Sequence, residues 1–125
     1  MAVELNHTIV AAKDKHESAA FMADVLGLPA PVPFGHFVAV RLAHGLTLDF
    51  ATSGEVTPQH YAFLVGDDEF DQIFERIKER HVPYWADPGR SRPGQINTNH
   101  GGRGVYFADP SGHFLEILTR PYGSV

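Results

Sequence analysis

The sequence contains no cysteine. Disulfide bonds, thiolate zinc sites and cysteine nucleophiles are therefore excluded, so any metal ion must be held by His, Asp or Glu. No stretch approaches the roughly 18 consecutive apolar residues of a membrane-spanning helix, and the first residues lack a basic region followed by an apolar one. We therefore expect a cytoplasmic protein with no membrane partner.

Basic residues are also scarce. The 125 residues include 10 Lys and Arg against 15 Asp and Glu, a formal net charge of -5, and this balance argues against a nucleic-acid partner. Arg90, Arg92 and Arg103 are grouped in one loop region, which suits an anionic small molecule better. The length is that of one domain, so a single domain is expected over residues 1–125.

The first half of the sequence has the pattern of a strand, a helix and further strands. Apolar and polar residues alternate over 3–9, which predicts a half-buried strand with His7 on its apolar face. A stripe of apolar residues predicts a helix over Lys15–Leu26, capped by Asp14. A proline-rich stretch at 29–33 then predicts a stiff connector. Two strands joined by a short turn are predicted at 37–42 and 46–51.

The same succession of elements starts again in the second half. A strand is predicted at 60–65, and three acidic residues at 67–69 favour the start of a helix. Residues 85–102 are rich in Pro, Gly, Asn and Arg, which predicts a long loop or a broken strand. Two closing strands are predicted at 104–108 and 113–118.

Alignment of the two halves matches four residues that could carry chemistry. His7 aligns with His60 in the first strand of each half, and Asp49 aligns with Glu116 in the last strand. Internal repeats of this kind indicate the whole architecture. We therefore predict an α+β fold of two repeated modules. The modules are expected at about residues 1–52 and 57–120.

Glu116 has neighbours that predict burial, because Phe114 and Leu118 flank it on one strand face. A buried carboxylate without a partner is costly, and few Lys or Arg residues lie near it in sequence. A divalent cation held by His7, His60 and Glu116 would resolve this conflict. These ligands suit Fe, Mn, Ni, Zn or Co and leave positions open for water and substrate. The alternative is a hydrogen-bonded core without metal.

Three further residues are candidates for catalytic roles. Asp49 is either a fourth metal ligand or a carboxylate beside the metal, and a surface acid is the plain alternative. A three-residue hairpin loop at 110–112 would place Tyr106 opposite Glu116, where its hydroxyl could bind or protonate a substrate oxygen. His100, in a glycine-rich loop, is a candidate acid or base near the site. The other histidines are expected to be solvated.

With these residues in place, the sequence resembles the vicinal oxygen chelate superfamily of glyoxalases, bleomycin-resistance proteins and extradiol dioxygenases. The resemblance covers nearly the whole chain and is most specific at 5–8, 59–62 and 104–117. It implies an α+β fold of paired β-α-β-β-β modules whose sheets curl around a metal site, commonly exchanged across a homodimer. Carried over by position, it implies His7, His60 and Glu116 as metal ligands and Tyr106 as a substrate contact.

Single positions separate the branches of the superfamily. Glyoxalase I enzymes place a glutamate where Asp49 stands, and fosfomycin-resistance transferases differ at Ile9 and in the 100–104 loop. Extradiol dioxygenases share the ten-residue spacing between Tyr106 and Glu116, although most carry an extra domain. The expected function is a metal-dependent enzyme with dioxygenase- or glyoxalase-type chemistry on a small substrate that chelates the metal through neighbouring oxygens. The alternative is a metal-independent binding protein like the bleomycin-resistance members.

Overall fold

Each half of the chain forms a four-stranded sheet with one helix in the computed structural model, which describes residues 2–123. Contacts along the backbone divide the chain into two units, Met1–Thr57 and Pro58–Val125. This arrangement of two sheets and two helices confirms the predicted α+β class and the repeat of modules. Within the described residues, no helix is both long enough and apolar enough to cross a membrane.

The first unit contains four strands in the order β1-β4-β3-β2 and one helix, α1. Strands β1 and β4 are parallel, and the other two pairs are antiparallel. Helix α1 has the predicted bounds, because the Asp14 carboxylate accepts hydrogen bonds from the first-turn amides and Gly27 ends the helix at φ 70°. The elements are β1 His7–Ala12, α1 Lys15–Leu26, β2 Val32–Phe34, β3 Phe37–Arg41 and β4 Thr47–Thr52.

Strand β1 differs from its prediction. It begins at His7 rather than at residue 3, and Val3 and Leu5 are 100% and 67% exposed. The buried face of the strand carries Val10 and Ala12, so His7 lies on the opposite, open face. The alternation correctly predicts a strand, but the apolar residues before His7 do not belong to the core.

The proline-rich connector is partly a strand. Residues Val32–Phe34 form β2 at the edge of the first sheet, paired only with β3. Pro33 is tolerated there because an edge strand has one side free of ladder hydrogen bonds.

The second unit repeats this topology, with strand order β5-β8-β7-β6. Helix α2 begins with three acidic residues, as predicted, and buries Phe70, Ile73 and Ile77. The predicted loop or broken strand at 85–102 contains the end of a two-residue strand, isolated β-bridges at Pro93 and Asn97, and a short 3₁₀ turn, Asn99–Gly101. The elements are β5 His60–Leu64, α2 Asp67–Glu79, β6 Tyr84–Trp85, β7 Gly104–Ala108 and β8 Phe114–Leu118.

The hairpin between β7 and β8 has the predicted register. Tyr106 pairs with Glu116, and Gly112 adopts φ 92° at the end of the three-residue loop. The Asp109 carboxylate accepts hydrogen bonds from the backbone amides of Ser111 at 3.0 Å and His113 at 2.8 Å. These contacts hold the turn, so the sequence of the loop sets the position of Glu116.

His113 is buried, not solvated as the sequence suggested. Only 1% of its surface is exposed, and its Nδ1 atom accepts a hydrogen bond from the backbone amide of Gln59 at 2.9 Å. Tyr61 meets the ring edge-on at 5.5 Å between centroids. Burial raises the pKa of the neighbouring Asp109 carboxyl, although the amide of His113 partly offsets this effect. His113 therefore joins β5 to the β7–β8 hairpin.

Candidate metal centre

His60 and Glu116 meet on one face of the second sheet. Strands β5 and β8 are parallel, and the Nε2 atom of His60 lies 3.1 Å from Oε1 of Glu116. The other ring nitrogen, Nδ1, lies 3.0 Å from the carbonyl oxygen of Phe114. The imidazole is thus held between a backbone acceptor on one side and a carboxylate on the other.

The contact with Phe114 determines which nitrogen of His60 is available to a ligand. A carbonyl oxygen can only accept, so Nδ1 carries the hydrogen and Nε2 of the neutral ring presents a lone pair. That lone pair faces a carboxylate oxygen, which is also an acceptor. The two acceptor atoms repel each other unless a proton or a cation lies between them. Histidines that bind metals are commonly oriented in this way by the second ring nitrogen.

Glu116 is 3% exposed and needs compensation for its charge. Among residues 2–123, no Lys or Arg side chain forms an ion pair with it, and its one ionic contact is with His60, whose side chain is 44% exposed. A carboxylate oxygen and a neutral imidazole nitrogen are both donor atoms that divalent cations commonly bind in proteins. The buried Glu116 carboxylate and the half-exposed His60 ring therefore have the right chemistry for a metal site.

Tyr106 lies opposite Glu116 on β7, and its hydroxyl hydrogen bonds with Glu116 and Tyr122. Burial raises the pKa of the Tyr106 hydroxyl well above its usual range, and the charge of Glu116 and the contacts with Tyr122 raise it further. The group is therefore a hydrogen-bond donor throughout the physiological pH range.

His100 is connected to this cluster through Tyr122. The rings of His100 and Tyr122 are 5.1 Å apart between centroids, and Tyr122 reaches the Tyr106 hydroxyl. His100 has a left-handed backbone with φ 59°, which is uncommon for a residue with a side chain. No signal in the sequence pointed to Tyr122, because it follows the second predicted module, which ends at about residue 120.

The first unit carries the other two predicted residues, His7 and Asp49. The Nδ1 atom of His7 lies 2.7 Å from Oδ1 of Asn6, which leaves Nε2 for a ligand in the same way as in His60. Asp49 is 5% exposed and accepts a hydrogen bond from the Thr47 hydroxyl at 3.1 Å. His7 and Asp49 line one open pocket of about 340 Å³, together with Ala39.

The two units place these residues at equivalent positions. His7 pairs with Thr47, two residues before Asp49, and His60 pairs with Phe114, two residues before Glu116. On the other side of each acid the units differ. Asp49 pairs with Ala39, whereas Glu116 pairs with Tyr106. The small Ala39 side chain leaves open space beside Asp49 in the first unit, whereas the Tyr106 ring fills the equivalent space beside Glu116 in the second unit. Within the described part of either unit, no three His, Asp or Glu side chains gather at a metal-binding distance.

Residues 4–117 match the sequence profile of the Glyoxalase/Bleomycin resistance protein/Dioxygenase superfamily. The chain belongs to this superfamily. The match spans both units and confirms the resemblance carried by the histidine and glutamate segments. It also agrees with the two β-α-β-β-β modules seen in the structure.

Several relatives within the superfamily have known names. The structure titled Oxidase ChaP-H1 is 64% identical, with a TM-score of 0.95 over 98% of this chain and 100% of that chain. Oxidase ChaP-H2 is 61% identical, with a TM-score of 0.95 over 99% and 98% of the two chains. A glutathione transferase FosA from Serratia marcescens is 27% identical over 94% of this chain and 81% of its own length. Different enzymes thus share this fold.

Proposed function

We propose that this protein is a divalent-metal-dependent enzyme that acts on a small substrate through two neighbouring oxygen atoms. His7 from the first unit and His60 and Glu116 from the second are the proposed metal ligands. The observation that carries this proposal is the 3.1 Å contact between Nε2 of His60 and the buried Glu116 carboxylate, with Nδ1 committed to Phe114. A metal bound there would supply a Lewis acid that polarises the substrate oxygens.

Oxidative chemistry is the branch that we favour within the superfamily. Two proteins titled oxidases share 64% and 61% of their residues with this chain over nearly its full length. Two histidines and one carboxylate are also the ligand set of non-haem iron oxygenases. Iron is therefore the proposed metal ahead of Mn, Ni, Zn or Co. Glyoxalase-type chemistry is less well supported because aspartate stands at position 49.

The proposed roles of the remaining residues follow from their contacts. Tyr106 keeps its proton and donates a hydrogen bond to a substrate oxygen beside Glu116. His100 acts on Tyr106 through Tyr122 and is a positioning residue. Asp49 lies near the metal and affects it through the local charge.

Nitric oxide provides a test of the oxidative branch that needs no substrate, because it binds ferrous iron at the position that O₂ would take. Anaerobic protein loaded with ferrous iron should give the electron paramagnetic resonance signal of a ferrous–nitrosyl centre. Protein with one bound iron per chain and no such signal would contradict oxygen chemistry and favour isomerase or lyase chemistry.

The alternative function is metal-independent binding of a small molecule. The open pocket of about 340 Å³ on the first sheet is the observation in its favour. Purified protein without any bound metal that still retains an organic ligand would support this alternative.

We expect Asp49→Asn to leave metal content nearly unchanged. The aspartate side chain is one methylene shorter than the glutamate at the equivalent position, and its carboxylate already accepts a hydrogen bond from Thr47. Loss of a carboxylate beside the ligands costs about 10-fold to 100-fold in metal affinity or activity. If Asp49→Asn instead lost as much metal as Glu116→Gln, Asp49 would be a metal ligand. An Asp49 oxygen within about 2.0–2.2 Å of a bound ion would show the same.

We also expect a homodimer in solution. Several large apolar side chains are more than half exposed on the strands of the described chain, which is unusual for a small monomer. They are Ile9, Val32, Phe34 and Leu64. Light scattering at micromolar concentration should give twice the chain mass of 13.8 kDa. A clean monomer would exclude exchange of modules between two chains.

A further inference from the structure

Arg90 lies over two aromatic rings of the second unit. The centre of its guanidinium group is 5.0 Å from the centroid of the Trp85 ring and 4.8 Å from that of the Phe114 ring. Cation–π contacts of this kind hold a guanidinium in place by its flat faces. The N–H groups point outward in the plane of the group, where they can bind a carboxylate with two parallel hydrogen bonds.

The three arginines grouped in the sequence have different surroundings. Arg103 also lies over a ring, that of Phe70, but it is already paired with Asp67 at 3.1 Å and Asp71 at 2.7 Å. Arg92 is close enough to Asp87 to lower the pKa of that carboxyl, although hydrogen bonds from Ser91 have the larger effect. Arg90 makes no ion pair with any acid among the described residues, so its charge is available to a ligand.

The loop around Arg90 is built to hold this residue. Its backbone has φ 59°, a left-handed conformation that side-chain-bearing residues rarely adopt. The Asp87 carboxylate fixes the loop by accepting hydrogen bonds from the backbone amides of Ser91 at 3.0 Å and Arg92 at 2.8 Å, and from the Ser91 hydroxyl at 2.6 Å. The amide of Arg90 itself donates to the Asp87 carbonyl oxygen at 3.2 Å. The guanidinium is therefore positioned before a ligand arrives.

A row of rings leads from Arg90 to the candidate metal ligands. Trp85 pairs with Tyr106, and Tyr106 pairs with Glu116, so all three side chains share one face of the sheet. Along this face the centroid distances are 6.2 Å from Trp85 to Phe114, 5.5 Å from Phe114 to Tyr106 and 5.9 Å from Tyr106 to His60. The row has a cation at one end and a buried carboxylate at the other. Its Tyr106 ring is buried, so the half-buried rings of Trp85 and Phe114 provide the accessible apolar part.

We infer that Arg90 anchors an anionic oxygen group, a carboxylate or phenolate, of a planar conjugated substrate. The substrate ring lies beside Trp85 and Phe114, with its neighbouring oxygens directed at His60 and Glu116. The placement of the neighbouring oxygens at His60 and Glu116 rests on the proposed function. The binding of the anionic group rests on Arg90 and its contacts alone.

The probe for this test is 2-naphthoate, with the neutral 2-naphthamide as its matched control. The chain contains one tryptophan, Trp85, so its indole N–H gives a single reporter signal in NMR spectra. As-purified protein should bind naphthoate more tightly than naphthamide and shift this signal. Arg90→Gln should weaken naphthoate binding about 10-fold or more in calorimetry, because a charge-assisted pair is lost. Arg90→Lys should retain only part of the wild-type affinity for naphthoate.

Arg92→Gln removes the same charge from the same loop and should retain the wild-type affinity. Equal affinity of Arg90→Gln and wild-type protein would overturn the inference, and so would an equal loss in Arg92→Gln. The titration is repeated on the full chain after treatment with a chelator. Naphthoate binding that survives metal removal and is lost in Arg90→Gln supports the anchor even if the metal proposal fails. Binding that depends on metal and not on Arg90 would contradict the anchor while leaving the metal proposal intact.

Discussion

Replacing His60 or Glu116 with alanine should reduce bound metal from about one ion per chain to almost none. His60 presents a nitrogen lone pair towards Glu116, and Glu116 supplies the buried negative charge. Each alanine variant therefore removes a metal ligand whose place the remaining ligand cannot take. Elemental analysis of protein purified without added metal measures this directly. His16, an exposed residue on helix α1, provides the matched control, and His16→Ala should keep the wild-type metal content.

Stability gives a second readout of the same prediction. Metal that binds only the folded state stabilises it by about 2.7 kcal/mol at a free concentration of 100 times Kd. Added metal should therefore raise the melting temperature of wild-type protein and leave that of Glu116→Ala unchanged. After chelation the isosteric Glu116→Gln should be at least as stable as wild type, because the neutral amide does not require a cation beside it. Equal metal content in wild type and both alanine variants would eliminate the proposed site.

Tyr106→Phe should lower turnover by about 100-fold or more while metal content stays the same. The substitution removes one hydroxyl and keeps the ring that packs against His60 and Phe114. A positioned proton donor contributes about 10²-fold to 10⁴-fold to a reaction. Tyr84→Phe is the control, since the Tyr84 ring contacts Phe74 on the opposite side of the sheet from the site. A variant with full turnover would make Tyr106 a packing residue.

The pH dependence of stability has a definite sign for Tyr106. Burial and Glu116 raise the folded-state pKa above the value of about 10 for an unfolded tyrosine. The contribution to stability is complete below pH of about 10 and is lost as pH rises from there through the higher folded pKa. Wild-type protein should therefore lose more stability than Tyr106→Phe when pH is raised above about 10 in chemical denaturation. Equal losses would show that the hydroxyl is not buried against Glu116.

Local signals in the sequence were sufficient for much of the fold. Helix α1 matched its prediction because a capping aspartate and a left-handed glycine mark its two ends. The register of Tyr106 and Glu116 followed from a loop whose length and glycine admit one hairpin geometry. The symmetry of His7 and His60 could be found because each histidine stands in the first strand of its module and each acid in the last.

Other features depend on tertiary contacts that no local pattern records. The burial of His113 follows from its contacts with Gln59 and Tyr61 on a strand far away in sequence. The open face of β1 follows from helix α1 covering the other face, which alternation alone leaves undecided. Similarly, three arginines grouped in the sequence differ because only the folded loop brings Arg90 over aromatic rings and Arg103 to two aspartates.

Crystals of the as-purified protein allow the most direct test of the metal centre, by anomalous diffraction at the absorption edge of the metal found in solution. We predict one anomalous peak per chain, at about 2.0–2.2 Å from Nε2 of His60 and an oxygen of Glu116, with His7 as the third protein ligand. A peak bound elsewhere, or crystals of protein with stoichiometric metal that show no peak at His60 and Glu116, would contradict the proposed centre.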